Sequence, residues 1–194
     1  MKKITIVDYG SGNILSAQKS FIKVARDNNF EADVTISKNL SDIKKSSHIV
    51  LPGQGAFNTC MDGLKKTHGL IDELYEFALI KKKPFLGICV GMQMLAKISE
   101  ENGIHEGLGW IDGIIKRLPG DSLKLPHMGW NEAVPRNSTH NNLISTKNDY
   151  YFVHSYYFDC ADNDNILAET KYGTNFASIV GKENIYGVQF HPEK

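Results

Sequence analysis

Short apolar runs alternate with amphipathic stretches through the first half of the chain, and this alternation limits the possible folds more than any other feature. Three runs are typical of buried strands, namely 4–7, 48–53 and 84–89. Two stretches predict helices: Ile14, Ala17, Phe21 and Val24 recur every three or four residues, and 70–84 is a second such pattern, stopped by Pro84. Strand–helix alternation predicts an α/β fold with a parallel sheet covered on both faces.

The second half of the chain has a different pattern, with strand-like runs separated by polar turns. The runs are 110–118, 150–159, 175–180 and 185–190. They predict a mixed or antiparallel extension of the same sheet. Residues 91–99 predict a further helix, and the polar stretch 135–142 predicts a surface loop. No composition shift or linker divides the 194 residues, so we expect a single domain.

Charge and cysteine content exclude several classes of function. Lys and Arg together number 22, as do Asp and Glu, so no global field favours nucleic acid or a membrane surface. The three cysteines, Cys60, Cys89 and Cys160, are widely spaced and lack a metal-binding pattern, which favours a reducing cytoplasm. We also expect no signal peptide and no membrane span, because no apolar run approaches roughly 20 residues.

Cys89 lies in "GICVG", where an apolar strand runs into a predicted helix. This is the spacing of the nucleophile elbow, with cysteine in place of serine. A tight turn of this kind exposes the nucleophile, and flanking glycines let neighbouring segments approach it. The dipole of the following helix favours the thiolate form. An inert, buried cysteine would explain the pattern of these five residues equally well.

A second motif near the other end of the chain makes the chemical interpretation the stronger one. "GVQFHPEK" (187–194) places His191 just beyond a strand and Glu193 two residues later. A thiol nucleophile needs a base, and an imidazole base needs a carboxylate to fix its tautomer and stabilise its charged form. Together, Cys89, His191 and Glu193 predict a catalytic triad.

Six motifs spread over the chain carry a resemblance to a known family: "DYGSGN", "LPGQGAF", "GICVGMQ", "PHMGWN", "YFVHSYY" and "GVQFHPEK". With these motifs the chain resembles the class I, triad-type glutamine amidotransferases. Within that family it is most similar to the glutaminase subunits of imidazole glycerol phosphate synthase. The resemblance implies a flavodoxin-like, three-layer α/β fold with a mostly parallel central sheet and no cofactor or metal.

The resemblance also implies the reaction and its residues. Cys89 would attack the side-chain amide of L-glutamine, with His191 moving the proton and Glu193 orienting His191, to give glutamate and ammonia. Backbone N–H groups of Val90 and of the Gly53–Gln54 loop would meet the oxyanion. The remaining matches concern substrate binding, which the family assigns to Gln93, His154, Ser155 and Tyr156.

A partner subunit is implied as well. The family's glutaminase subunits pass ammonia to a (β/α)8-barrel cyclase, which makes imidazole glycerol phosphate and an aminoimidazole carboxamide ribonucleotide in histidine biosynthesis. The interface positions match Asn13, Trp130, Tyr151 and Lys194. Two features depart from the family: Gln54 stands where valine is usual, and the sequence stops at Lys194, whereas relatives continue into a final amphipathic helix.

Several alternatives stay open on the sequence alone. A paralogous glutaminase could feed a cyclase-like synthase that modifies a sugar, since the partner binds the ammonia acceptor. More remote are a cysteine peptidase on a similar sheet and an inactive scaffold. A dinucleotide-binding loop at "YGSGNIL" is rejected because Leu15 replaces the third glycine. We interpret Cys60 and Cys160 as structural, and His127 has no assigned role.

Overall fold

The computed structural model describes residues 1–120, 123–136 and 143–194. Most of the surface loop predicted over 135–142, namely 137–142, therefore lies outside the described residues. The strands are β1 (Lys2–Val7), β2 (Ala32–Ser37), β3 (His48–Gly53), β4 (Phe85–Cys89), β5 (Ile98–Ser99), β6 (His105–Glu106), β7 (Gly113–Arg117), β8 (His127–Pro135), β9 (Asn148–His154), β10 (Tyr156–Cys160), β11 (Ile166–Tyr172), β12 (Thr174–Lys182) and β13 (Ile185–Val188). The helices are α1 (Ile14–Asp27), α2 (Leu40–Lys45), α3 (Phe57–Lys66), α4 (Leu70–Tyr75) and α5 (Val90–Gln93), with a π-helical turn (Glu76–Ile80) after α4 and a 3₁₀ turn (Asn163–Asn165) before β11.

The parallel part of the sheet has the order β2-β1-β3-β4-β13, which is the flavodoxin-like arrangement. Its central strands are apolar along their length, and Ile49, Val50 and Leu51 of β3 are at most 2% exposed. Strands of this kind need cover on both faces, which the flanking helices supply. The predicted α/β class with a mostly parallel central sheet is confirmed.

The predicted antiparallel extension is confirmed as well. β12 runs antiparallel to β13, β10 to β12, and β7 to β10. A branch leads from β12 through β11 to the hairpin of β8 and β9. The prediction of one strand over 150–159 is wrong, because the chain breaks at Ser155: β9 pairs with β8, whereas β10 joins the central sheet.

α1 confirms the first predicted helix in most respects. Ala17 is 2% exposed, and Ile14 and Phe21 pack against the core, but Val24 is 58% exposed, so the buried face ends before the helix does. All three cysteines are free thiols. Among the described residues, no helix combines the length and the apolar character needed to span a bilayer.

The helix predicted over 91–99 is much shorter in the structure. α5 ends at Gln93, and Ile98 and Ser99 form β5. The carbonyl groups of Met94, Leu95 and Ala96 accept hydrogen bonds from amides of residues 108–111. These bonds take the place of further helical ones, so a distant segment of the chain ends the helix.

Candidate active site

Cys89 is the last residue of β4 and directly precedes α5, as the elbow pattern predicts. Its backbone has φ 55° and ψ −112°, a conformation that residues other than glycine rarely adopt. The side chain is only 4% exposed. Strain at such a position persists only where the surrounding structure enforces it, and it is concentrated at functional sites.

Glycines around the elbow allow backbone segments to approach closely. A Cβ atom added to Gly91 would lie 1.8 Å from the carbonyl oxygen of Leu51 in β3. One added to Gly87 would lie 2.5 Å from the Gly91 oxygen, and one added to Gly53 would lie 2.6 Å from the Gly91 nitrogen. The expected role of the flanking glycines is confirmed, since no other residue fits between β3, β4 and α5.

His191 and Glu193 follow β13, which runs parallel to β4 with Val188 opposite Ile88. Both motifs therefore lie at the carboxyl edge of neighbouring strands, where ligands of open α/β sheets bind. His191 Nδ1 is 2.9 Å from Glu193 Oε1, and the two side chains are 10% and 4% exposed. The His191 amide also donates to the Tyr151 carbonyl at 2.9 Å, which ties this turn to β9.

The His191 imidazole is strongly biased towards its charged form. Burial lowers its pKa, but interactions with the Cys89 sulfur and the Glu193 carboxylate outweigh burial and raise the pKa to about 10. Nε2 is buried and makes no hydrogen bond of normal geometry to any described residue. The imidazole thus has one nitrogen held by a carboxylate and one left for a reacting group.

A cavity of about 380 Å³ opens beside the elbow, within the size range of small-molecule sites. Its lining consists of Gln54, Gly55, Cys89, Val90, Gln93, Glu101, Pro126, Val153, His154, Ser155, Tyr156 and His191. The structure thus brings the predicted nucleophile, base and substrate segment to one cavity. Glu193 lies behind His191, and Gly53 packs beneath α5.

The two predicted sources of hydrogen bonds to the oxyanion are Val90 and the Gly53–Gln54 loop, and in the loop the Gln54 amide already has a hydrogen-bond partner within the protein. Val90 begins α5 directly after Cys89. The Gln54 amide, in contrast, donates to Ser11 Oγ at 3.4 Å, while the Gln54 carbonyl accepts from the same hydroxyl at 2.7 Å. Gly53 lies directly opposite Cys89 in the pairing of β3 with β4. The loop is adjacent to Cys89, but the Gln54 amide already donates a hydrogen bond to Ser11.

The predicted substrate residues surround the break between β9 and β10. Gln93 is 2% exposed, and its Nε2 donates to the Tyr156 carbonyl at 3.1 Å. His154 Nδ1 lies 2.8 Å from the same carbonyl. Burial lowers the pKa of His154 to about 3, so this imidazole is neutral near pH 7. Ser155 forms the break itself, and its carbonyl accepts from the Leu118 amide.

Three of the four predicted interface residues lie together on one surface. Trp130 is 64% exposed and pairs with Tyr151 across β8 and β9, with ring centroids 5.9 Å apart. Lys194 is bonded through its amide to the His191 carbonyl, next to Tyr151. Asn13 precedes α1, two residues after the Ser11 hydroxyl that contacts Gln54.

Two residues of the site were missed from the sequence. Gln189 is fully buried, and its Nε2 is 3.8 Å from Cys89 Sγ. Glu101 lines the cavity, and its Oε2 accepts from the Phe57 amide at 2.8 Å, at the start of α3. Gln189 stands within the quoted "GVQFHPEK" motif, which could have drawn attention to it, whereas no pattern marks Glu101.

A flavodoxin-like sheet with a cysteine elbow facing a histidine–glutamate pair is typical of thiol-dependent enzymes that cleave amide bonds. The family model for class-I glutamine amidotransferase matches residues 5–194. The chain belongs to this family.

Two relatives agree with the assignment to the family, and a solved structure agrees with the fold. A protein of Rhodospirillum rubrum named imidazole glycerol phosphate synthase subunit HisH is 43% identical over 196 residues, covering 99% of this chain and 92% of the relative. A protein of Pelagibacter ubique with the same name is 45% identical over 194 residues, covering 98% and 92%. A crystal structure of a glutamine amidotransferase aligns with TM-score 0.71 at 16% identity, covering 97% and 90%, and supports the fold alone.

Proposed function

We propose that this chain is a glutaminase subunit that hydrolyses L-glutamine to glutamate and ammonia and passes the ammonia to a cyclase subunit. The cyclase makes imidazole glycerol phosphate and the aminoimidazole carboxamide ribonucleotide. The observation that carries the proposal is the shared cavity of Cys89 and His191, with Glu193 bonded to His191 at 2.9 Å. The relatives named HisH, matched over nearly the whole chain, support the choice of pathway.

In the first step, the Cys89 sulfur attacks the carboxamide carbon of glutamine, and His191 holds the proton that the thiol gives up. The resulting tetrahedral oxyanion is stabilised by the Val90 amide and by the Gly53–Gln54 loop. Since Ser11 holds the Gln54 amide, Gln54 contributes only when that contact is released.

In the second step, the C–N bond breaks and His191 donates its proton to the departing nitrogen, which leaves as ammonia. A thioester on Cys89 remains. Water then attacks the thioester carbon while His191 accepts a proton from it, and His191 passes this proton to the sulfur as the C–S bond breaks, which gives glutamate and the free thiol. Glu193 keeps Nδ1 protonated, so that Nε2 is the nitrogen that exchanges protons in both steps.

Substrate binding is assigned to the wall of the cavity formed by Gln93, His154, Ser155 and Tyr156. Gln93 Nε2 is already bonded within the protein, so its Oε1 is the atom left for the substrate. Glu101 adds a carboxylate to the same cavity, and one of its oxygens holds the Phe57 amide. The other oxygen is suited to the ammonium group of an amino acid.

The partner is a (β/α)8-barrel cyclase that docks on the surface of Trp130, Tyr151 and Lys194 and also contacts Asn13. An exposed tryptophan beside a tyrosine is common at the centre of protein interfaces. This surface continues directly into the turn that carries His191, which supports docking of the partner near the mouth of the cavity. We assign the pair to the cytoplasm, and the free thiols Cys60 and Cys160 support this assignment because thiols are stable in a reducing compartment.

Glutamate release by the purified chain, alone and with a barrel cyclase plus its ribonucleotide substrate, tests the proposal. We expect turnover that rises with the cyclase and is lost in Cys89→Ala. Turnover that ignores this cyclase would support the paralogous glutaminase that serves a sugar-modifying synthase. Peptide cleavage without glutaminase activity, or no activity in any mixture, would overturn the proposal.

A further inference from the structure

Gln189 is buried beside the nucleophile, and neither the proposed mechanism nor the family match gives its side chain a role. It is the first residue after β13, it has no exposed surface, and its backbone amide donates to the Ser178 carbonyl at 2.9 Å. Its Nε2 lies 3.8 Å from Cys89 Sγ, and its Oε1 lies 3.0 Å from Gln93 Nε2. The side chain therefore joins the nucleophile to a residue of the substrate wall.

The direction of these hydrogen bonds is fixed by their neighbours. The Tyr156 carbonyl can only accept, so the side-chain atom of Gln93 that faces it is the nitrogen. The same nitrogen donates its second hydrogen to Gln189, which must present its oxygen. The NH₂ group of Gln189 is then left facing the Cys89 sulfur.

A chain of histidines holds the Tyr156 carbonyl in place from the other side. His154 Nδ1 donates to this carbonyl, so His154 Nε2 accepts from His127 Nδ1 at 3.0 Å. His127 Nε2 in turn accepts from Asn131 Nδ2 at 3.1 Å. Burial lowers the pKa of both imidazoles, to about 4 and about 3, so the neutral tautomers that this order requires are those present near pH 7. Every donor between Asn131 and Cys89 thus meets an acceptor, and the Tyr156 carbonyl accepts from both His154 and Gln93.

We propose that Gln189 is a positioning residue that holds the Cys89 sulfur towards His191 and donates a hydrogen bond to it when it becomes a thiolate. A bond of 3.8 Å to a neutral thiol is weak, and it strengthens as negative charge develops on the sulfur. Low polarity around the buried amide increases this difference. The proposal rests on the proposed function, in which the thiolate is the nucleophile.

Alkylation of Cys89 by iodoacetamide tests the proposal without requiring glutaminase activity. Gln189→Met keeps the length of the side chain but has no donor and accepts only weakly. Gln189→Glu keeps the shape of the side chain while placing a carboxylate beside the sulfur. Loss of one hydrogen bond to a charged group predicts alkylation that is about ten-fold slower at pH 7 in Gln189→Met. Peptide mass spectrometry separates Cys89 from Cys60 and Cys160.

Gln18→Met is the matched control, because Gln18 Nε2 donates to the Val34 carbonyl at 2.9 Å, away from the cavity. We expect this variant to be alkylated at the wild-type rate, whatever its Tm. In both Gln189 variants, the pH at which alkylation is half-maximal should rise, and kcat should fall more than KM changes. Wild-type alkylation rates and pH profiles in Gln189→Met would overturn the proposal. Absence of glutamate release in the wild type, with slowed alkylation in the variant, would count against the proposed function only.

Discussion

Gly91 lies so close to β3 that replacing it with alanine should lower the rate of glutamine hydrolysis by an amount that follows from the geometry. In Gly91→Ala the new Cβ would lie 1.8 Å from the Leu51 carbonyl oxygen, whereas ordinary contact begins at 3.4 Å. The Leu51 carbonyl is backbone in a central strand, so α5 must move away by more than about 1 Å. Cys89 directly precedes α5 and moves with it. A misplacement of about 1 Å in a reacting group lowers the rate by about 100-fold.

The assay for Gly91→Ala combines glutamate release in the presence of the cyclase with thermal unfolding. Overpacking lowers the free energy of unfolding by about 1–3 kcal/mol, and each kcal/mol lowers Tm by about 2–4 °C at this chain length. Gly109→Ala is the control: its φ of 68° makes alanine strained, but no heavy atom lies within 4 Å of its Cβ. We expect that variant to lose stability by about 1–2 kcal/mol while keeping kcat. Wild-type kcat in Gly91→Ala would refute the reasoning.

Three further perturbations have expected outcomes. Glu193→Gln removes a carboxylate that helps raise the pKa of His191 to about 10, so the pKa of His191 should fall in an NMR titration. The stability that charged His191 contributes is present below its ordinary pKa of 6.5 and is lost as the pH rises towards 10. From pH 7 to 10, the free energy of unfolding should therefore vary less in this variant than in the wild type. An unchanged pKa of His191 would contradict this reasoning. Burial lowers the pKa of His127 to about 4 in the fold, whereas the unfolded chain protonates it near 6.5, so the free energy of unfolding should fall as the pH drops from 6.5 to 4. In urea titrations, His127→Gln should reduce this dependence of the unfolding free energy on pH. An unchanged dependence would mean that His127 is already charged in the fold. Trp130→Ala should leave Tm unchanged, because the side chain is 64% exposed, and should weaken cyclase binding by about 2 kcal/mol or more in calorimetry; wild-type affinity would exclude Trp130 from the interface.

The parallel sheet and the elbow were predictable because their signals are local. Apolar runs end at Gly53 and Cys89, and the glycines that α5 requires are adjacent to the cysteine in the sequence. The proximity of His191 and Glu193 was predictable for the same reason, since both residues lie in one short turn. Each of these features is determined by neighbours within a few positions along the chain.

The features that were missed depend on contacts between distant segments. α5 ends at Gln93 because amides of residues 108–111 bond to the carbonyl groups that would have continued it. The strand predicted over 150–159 breaks at Ser155 because its two halves pair with different strands. Gln189 directly follows a strand, and only its position beside Cys89 and Gln93 distinguishes it from an ordinary buried polar residue. Periodicity cannot report such contacts.

The position of β13 has a consequence for synthesis on the ribosome. This strand comes late in the sequence yet lies in the middle of the sheet, between β4 and β12. A nascent chain that has not yet released residues 185–188 therefore has an unpaired β4 edge, the type of surface that promotes association between chains. Insertion of β13 closes this edge and delivers His191 to Cys89 in the same event. The predicted base thus reaches the predicted nucleophile only when β13 has paired, so the proposed active site is assembled by a late step of folding.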